Sequence, residues 1–596
     1  MIKLIVHATH EAGLKVGGIG AVLDGLLATP GYNEAVERTV LVGTWNHYDS
    51  AMVERMLAPR NKLDVIYSPV LGVVKTEPQL AAKLSAVEKD YGVSLLYGRR
   101  RFGPAGHEVI LVHSIHAKEE PVNSFKYYLW RHYGIDSGEY EYDFEFKDFV
   151  RSAPASYAAL SALVGPGAGL PGLPDNGRFM LAHEWMGLPL VFAAQLTDPW
   201  EWRTIFYAHE MATARNIVEF DGGHDTRFYN AMETADAYGL TMEQVFGDRD
   251  AFFKHVLIEQ TVRCDNIFAV GDLVVDELRF LGGLFRTINI DLVYNGVPSF
   301  ELSLKKKLAS KKRLQDYAEN LFGDRPDYVF SHVTRMVLSK AMWRDIRVAE
   351  HLDSMLAEKG KSAVLFMLST SALRPGGRNP EDIRRWEEEY GWPVHHRSDN
   401  GDLTDLEIPL YNSIAAFNWN SQALKIVLVN QFGWSQDRCG KRMPADMEFM
   451  DIRFGSDAEF GQSIYEPFGI AQVEPLSFGA LCVVSNVCGC VGFVRKAIAQ
   501  ANLDEFPNLV VADYTTLPPA FRVLSPWDAL HLGTDQRDQI EAINSTYVAR
   551  QIIERLPENE SEMQRLLDAG QAVGSRMSWD VIASEYLLRG LKNATT

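Results

Sequence analysis

Cysteine is scarce in this chain: five in 596 residues, at 264, 439, 482, 488 and 490. An odd, scattered set makes no disulfide framework at this size. Cys488-Gly489-Cys490 is too tight for a C-x-x-C metal knuckle, and no His/Cys pair lies nearby. Reduced, buried cysteines in a cytoplasmic protein are expected. Basic charge is also in deficit, with 59 Lys and Arg against 78 Asp and Glu and a formal net charge of −19. Such a chain is a poor partner for nucleic acid or anionic membrane outside a local basic patch. One patch exists, "KKKLASKKR" at 305–313, and it reads as a solvated helix face or linker. No apolar run approaches the ~20 residues that span a bilayer. The start, "MIKLIVHATHEAG", has only a six-residue, mostly apolar stretch, which is not a signal peptide.

What is present points to an ordinary globular composition, 46% hydrophobic and 23% charged, in a chain long enough for roughly two to four domains. Short Val/Ile/Leu/Phe runs alternate with helix-like stretches. The first set is "KLIVHA", "RTVLVGT", "EVILVHS", "GRFMLAHEW", "RTIFYAHE", "DNIFAVGD" and "IDLVYNG". The second is "DYVFSHVTR", "SAVLFMLST", "LKIVLVNQF", "ALCVVSN" and "NLVVADY". Unbroken apolar runs, rather than strict alternation, describe strands covered on both faces by helices. A polar divider near 297–325 separates the sets and implies two doubly wound α/β domains. The expected boundaries are 1–300, 301–565 and a closing helix at 566–596 that packs back on the first domain. A Gly/Pro-rich loop, "GPGAGLPGLPDNG", occupies 165–177, and "DRD" at 248–250 reads as surface charge.

In open α/β sheets, ligands sit outside the carboxyl ends of the strands. Lys15-Val16-Gly17-Gly18 follows the first run, His183-Glu184-Trp185 and His209-Glu210 follow two others, and Asn295-Gly296 ends the first set. Thr334-Arg335 and Lys340 follow the first run of the second set. Polar groups at strand ends on both sides of the divider are expected if one ligand lies in a cleft between two domains. The glycine cluster "HEAGLKVGGIGAV" (10–22) fits neither familiar phosphate template. Leu23 stands where a dinucleotide fingerprint needs its third glycine, and Ile19 where a P-loop needs lysine.

The most informative stretch is "YEPFGIAQVEPLSFGA", 465–480. Phe468, Gly469 and Ile470 would open a helix whose free N–H groups favour anions. Glu466 precedes it and can face sugar hydroxyls; Glu474, about two turns in, can reach a ribose. A carboxylate accepts two hydroxyl hydrogen bonds at once.

This pattern resembles the donor-site signature of the GT-B-fold retaining glycosyltransferases, and within them the glycogen/starch synthases. Lys15-Val16-Gly17-Gly18 is similar to their K-[TV]-G-G loop, and "HEWMGLP" (183–189) to their HEW/HDW segment. "FYAHE" (206–210) resembles the strand end carrying the active-site histidine. "YNGV" (294–297) resembles the segment before the crossover, "TRMVLSK" (334–340) keeps their Arg-x4-Lys, and "SWDVIASEYLL" (578–588) resembles the closing helix. The resemblance implies that Arg335 and Lys340 hold a diphosphate, with no metal required, aided by N–H groups of Phe468, Gly469 and Ile470. It implies Glu466 on the donor sugar, Glu474 on the ribose, and His209 near the transferred sugar. Lys15, Gly17 and Gly18 would meet the phosphates, with Glu184 and Asn295 on the acceptor side. Three departures stand out: Pro475 after Glu474, Ala341 where a glycine usually follows the lysine, and the loose match of "SNVCGCVGFV" (485–494).

The activity implied is transfer of glucose, with retention, from ADP- or UDP-glucose to the 4-OH of an α-1,4-glucan, without a cofactor. No covalent nucleophile and acid pair stands out. The family's account is a front-face displacement in which the leaving phosphate takes the acceptor's proton. The alternatives are a related retaining transferase with a small or different acceptor, a pyridoxal-phosphate-dependent glucan phosphorylase, or a non-catalytic glucan or nucleotide-sugar binder. The implied partners are a nucleotide sugar and a carbohydrate acceptor, neither nucleic acid nor an integral membrane contact, with a homo-oligomer left open.

Overall fold

Leu4–Ala8 (β1), buried along its whole length, is the centre of the first sheet. In a computed structural model of the chain the described residues are 2–165, 177–299, 301–369, 381, 385, 388, 403–404, 407–430, 433–503 and 505–595. Nearly all of the Gly/Pro-rich loop at 165–177 therefore lies outside the described residues. The chain forms two units. One comprises Met1–Thr213, Gly239–Gly296 and Trp579–Thr596, and the other Ala214–Tyr238 and Val297–Ser578.

The first unit holds β1, β2 (Thr39–Thr44), β3 (Leu63–Ser68), β4 (Val73–Val74), β5 (Ser94–Phe102), β6 (Ala105–His113), β7 (Arg178–His183), β8 (Arg203–Ala208), β9 (Asn266–Ala269) and β10 (Ile290–Leu292). Their order is β10-β9-β8-β7-β1-β2-β6-β5-β3-β4. The stretch from β10 to β6 is parallel, and β5, β3 and β4 add an antiparallel edge. Every one of the seven apolar runs read in the first half is a strand of the parallel part. The switch point falls between β1 and β7, so the carboxyl ends of β1, β7 and β8 lie side by side. The closing segment belongs to this unit. Trp579 begins it and packs on Gly296, where an added Cβ would come within 2.4 Å of the indole.

The second unit holds β11 (Tyr328–Val333), β12 (Ala363–Leu368), β13 (Leu424–Val429), β14 (Ala458–Gly461), β15 (Leu481–Ser485) and β16 (Leu509–Ala512), in the order β13-β12-β11-β14-β15-β16. All pairs are parallel. This is the doubly wound order, with its switch point between β11 and β14. The apolar core under the sheet includes Phe330, Leu352, Leu365, Ile426, Phe460, Val483 and Val548.

The basic run at 305–313 is not simply a solvated face. It lies in the helix Leu304–Phe322, and Lys307 and Lys311 are buried. Lys307 Nζ donates to the carbonyls of Ser456 (2.9 Å) and Phe454 (3.4 Å), at the end of the helix Phe449–Gly455. A cation there meets the orphan carbonyls and the negative end of the helix dipole. Lys311 pairs with buried Asp457 at 2.8 Å.

Candidate functional site

In the second unit the loops leaving β11 and β14 are laced together. The N–H of Ile464 donates to the carbonyl of Ser339 at 2.9 Å. Across this junction Lys340 Nζ is paired with Glu466 Oε2. Glu466 also accepts from Gln472 Nε2 at 2.7 Å and Ser463 Oγ at 3.4 Å, and its carbonyl accepts from Gly489 N at 2.9 Å. Arg335 lies five residues before Lys340 in the same loop and is exposed. Among the described residues its guanidinium makes no ion pair. The structure thus joins Lys340 and Glu466 and leaves a second cation on the same strand-end loop.

Gly469 adopts a left-handed conformation, φ +88°. A Cβ there would stand 2.7 Å from Gln472 Oε1, 2.9 Å from Cys488 Sγ and 2.9 Å from Glu466 Cγ. Glycine is therefore required to bring the turn against the Glu466 side chain. The helix after it, Ile470–Val473, is a single turn, followed by a 3-10 turn over Glu474–Phe478. Pro475 occupies the second position of that 3-10 turn, where its missing N–H costs nothing. Glu474 accordingly stands about one turn in rather than two. Its Oε2 accepts from Arg453 Nη2 at 2.8 Å. Arg453 also pairs with buried Glu459 on β14. Burial pushes the Glu459 carboxyl up to about 7, against the pull of Arg453.

Ala341, the departure noted after the lysine, has φ +46° and ψ +43°. This left-handed geometry is the reason a glycine suits the position, since a Cβ there costs roughly 1–2 kcal/mol.

Beneath the switch point lies a buried polar network that sequence reasoning missed. Arg344 is wholly buried and forks onto Asp225 at 2.8 and 2.9 Å. Its Nε donates to Glu541 at 2.8 Å, and its Nη1 to the carbonyls of Gln462 (3.2 Å) and Ser463 (3.4 Å), just ahead of Glu466. Gln462 bridges Asp345 (2.9 Å) and Tyr514 (2.6 Å), and Asp345 holds His332 at 2.5 Å. Arg344 stands four positions after Lys340, between Trp343 and Asp345, and nothing local to it announces its distant partners.

In the first unit the strand ends carry a chain of rings. Thr39, Tyr32, His7, His183 and His209 are joined in series at 2.9, 3.0, 2.8 and 2.8 Å. Burial holds all three imidazoles neutral, with His209 pushed down to about 3. Neutral imidazoles in series share one tautomeric sense: each accepts from one neighbour and donates to the next. The free end is His209 Nδ1, which is buried and has no partner.

Glu184, at the end of β7, has φ +64° and ψ −179°. This region is essentially reserved for glycine and carries about 1–3 kcal/mol of strain. Its Oε1 accepts from the Glu210 N–H at 2.7 Å, while Oε2 is buried without a partner. Burial, then the nearby Glu210 charge, raise its carboxyl well above the ordinary range. Asn295 is also buried, with its Oδ1 unpartnered.

The glycine loop is organised by a residue the sequence reading passed over. Buried Glu11 accepts from the N–H groups of Val16 (2.5 Å) and Gly17 (2.6 Å). The Gly17 N–H is therefore spoken for, and Lys15 Nζ rests 3.3 Å from Asp24. Gly18 has open space around its Cα.

No family model matches the chain, and no curated protein matches it. Solved structures do match. The catalytic domain of Starch Synthase IV from Arabidopsis thaliana, bound to ADP and acarbose, is 14% identical; the match covers 100% of this chain and 99% of that one, with a TM-score of 0.50. The N-terminal domain of trehalose-6-phosphate phosphatase from Candida albicans is 11% identical over 99% of this chain and 96% of that one, also at 0.50. The chain has the GT-B fold. Its two doubly wound sheets and its C-terminal helix within the first unit are the features of that fold anticipated from sequence. Within this GT-B chain Arg335, Lys340, Glu466, Phe468, Gly469, Ile470 and Glu474 fall in the second unit. Lys15, Gly17, Gly18, Glu184, His209 and Asn295 fall in the first.

Proposed function

We propose that the protein is a retaining glycosyltransferase that moves glucose from ADP- or UDP-glucose to the 4-OH of an α-1,4-glucan. The observation that carries this reading is the Lys340–Glu466 pair at the β11/β14 switch point, with exposed Arg335 on the same loop. A cation paired to a carboxylate at a strand end is poised for exchange. An incoming diphosphate takes over Lys340, with Arg335 on its other oxygens, and frees Glu466 for the sugar hydroxyls. Positive charge held where the leaving diphosphate gains negative charge stabilises the transition state more than the ground state.

The remaining roles follow. The turn at Phe468, Gly469 and Ile470 offers N–H groups to the phosphates. Glu474, its second oxygen clear of Arg453, takes the ribose. From the first unit, His209 serves the transferred sugar through Nδ1, and Lys15 and Gly18 serve the phosphates. Gly17 contributes only after its N–H leaves Glu11. Glu184 and Asn295, each with an unpartnered buried oxygen, serve the acceptor side. The acceptor hydroxyl attacks the anomeric carbon from the face the diphosphate leaves, and the departing phosphate oxygen takes the hydroxyl proton. The C–O bond to the nucleotide breaks as the new glycosidic bond forms, with retention.

The test is product analysis with ADP-, UDP- and GDP-glucose, each offered an α-1,4-glucan, glucose 6-phosphate or water. Elongated glucan bears the reading out. A disaccharide phosphate or another small glycoside moves the acceptor to a small sugar and keeps the transferase. Absence of turnover with every donor overturns it.

A further inference from the structure

Helix Met242–Phe246, the turn after it and helix Phe253–Glu259 gather a cluster unconnected with the proposed donor site. His255 and Glu259 share a face at i, i+4 spacing, and Glu243 meets them from the preceding helix. His255 is wholly buried, and its Nε2 has no hydrogen-bond partner. That nitrogen is aimed at two carboxylates, 3.6 Å from Glu259 Oε1 and 3.7 Å from Glu243 Oε1. The other ring nitrogen, Nδ1, lies 3.1 Å from Thr213 Oγ1. Glu243 is in turn grouped with Asp248 and Asp250, their oxygens within 4.8 Å of one another.

The chemistry of this set is unusual. With Nδ1–H donating to Thr213, the Nε2 lone pair faces two acceptor oxygens, and three lone pairs converge with no donor among them. The spacing is too long for hydrogen bonds. It is the spacing of ligands around an ion: two atoms each about 2.1 Å from a zinc ion at a tetrahedral angle stand roughly 3.4 Å apart. Imidazole oriented by a second-nitrogen hydrogen bond is the usual state of a metal-bound histidine. Glu243 and Glu259 are partly exposed, which gives an ion an entry path and a water for its fourth position. Asp248 and Asp250 add negative potential, while Arg249 donates its Nη2 to the Phe246 carbonyl at 2.8 Å and Lys254 pairs with Glu145 at 3.0 Å.

We propose that Glu243, His255 and Glu259 bind a divalent first-row transition cation, of which zinc is the type. The mixed imidazole and carboxylate set suits such an ion better than magnesium or calcium, which take all-oxygen shells. The ion's work is structural. It ties the helix Phe253–Glu259 to its neighbour and, through Thr213, to the turn that follows His209. It takes no part in sugar transfer.

The test uses the full chain, stripped with chelator and dialysed. Equilibrium dialysis against zinc, read by elemental analysis, is expected to give one ion per chain, with a raised melting temperature. Cobalt in its place should show the visible bands of a tetrahedral nitrogen and oxygen site without thiolate charge-transfer absorption, which sets it apart from binding at the cysteines. Glu259→Gln and His255→Gln should each weaken zinc binding tenfold or more. Thr213→Val, which touches no ligand atom of the ion, should weaken it roughly 10–100-fold. Should His255→Gln fail to fold, the partly exposed Glu243→Gln carries the test. Zinc binding unchanged in Glu243→Gln and Glu259→Gln, or no binding to the folded wild type, overturns the proposal in favour of a shared proton. Neither result bears on the transferase reading.

Discussion

Asp225→Asn removes one of the two carboxylates that neutralise Arg344. The guanidinium is fully buried; of its two contacts to Asp225, at 2.8 and 2.9 Å, asparagine keeps one oxygen acceptor, turns the other against an NH2 donor and removes the charge. Glu541 remains, but it also serves Arg347 at 3.1 Å. The local count is then three guanidinium groups, Arg344, Arg347 and Arg537, to two carboxylates, Glu541 and Asp538, so one positive charge goes uncompensated, and Arg344 is the member buried without a carboxylate of its own. Breaking a buried pair from one side costs about 3–5 kcal/mol. Replacing the cation as well relieves that charge. Arg344→Met combined with Asp225→Asn should therefore be less damaging than the sum of the singles, by about 2–3 kcal/mol. The assay is urea unfolding followed by tryptophan fluorescence, since Trp343 donates to Glu541 at 3.0 Å and reports on the network. With two units present, the transition assigned to this one is analysed on its own. Because Arg344 also holds the carbonyls before Glu466, Arg344→Met should weaken nucleotide-sugar binding as well as stability. An Asp225→Asn protein that unfolds within about 0.5 kcal/mol of wild type would refute the reasoning, since that is the scatter of neutral surface changes.

Three further outcomes are expected. Gly469→Ala combines a left-handed backbone with contacts under 3.0 Å to Gln472, Cys488 and Glu466; transfer activity should fall at least tenfold while circular dichroism stays native. Ala341→Gly relieves a left-handed alanine and, after the added freedom of the unfolded chain, should raise stability by up to about 1 kcal/mol in the same urea assay. His209, held neutral down to about pH 3, has a folded pKa below its unfolded value of about 6.5. Its contribution is complete above pH 6.5 and lost as pH falls. Wild type should therefore lose about 1.4 kcal/mol per pH unit more than His209→Gln between roughly pH 6 and 4, and equal slopes would contradict the assignment.

The parallel strands were legible because burial on both faces writes a plain signal: Val, Ile, Leu and Phe in sequence, as in "RTIFYA" and "SAVLFML". β14 escaped for the opposite reason. It is four residues long, with Glu459 inside it, and Arg453, from the helix Phe449–Gly455, makes that carboxylate tolerable in a sheet. β3 and β5 escaped because an antiparallel edge tolerates charge, as in the "GRRRF" of β5. The site was legible where residues sit in one loop. Arg335 and Lys340 stood out together after one strand run, and Glu466 with the turn at Phe468–Ile470, but the Lys340–Glu466 pair itself joins two loops and was not legible. Glu11 and His7 could have been found by the same rule, since they end or follow β1. Arg344, Asp225 and Glu541 could not: their meeting depends on residues 214–238 joining the second unit, which no local pattern announces. The cluster at Glu243, His255 and Glu259 was hidden likewise, because "DRD" alone reads as solvated charge and only the fold turns His255 toward it.

Donor binding at Lys340 and Glu466 is the step on which sugar transfer depends. The deciding measurement is the melting temperature of wild type, Lys340→Ala and Glu466→Gln against saturating ADP-, UDP- and GDP-glucose. A ligand at 100 times its Kd stabilises the folded state by about 2.7 kcal/mol. One nucleotide sugar should raise the wild-type midpoint by several degrees and leave Lys340→Ala unmoved, with Glu466→Gln responding to the nucleoside diphosphate but less to the sugar. A wild type indifferent to all three donors, or a Lys340→Ala protein that responds as wild type does, would contradict it.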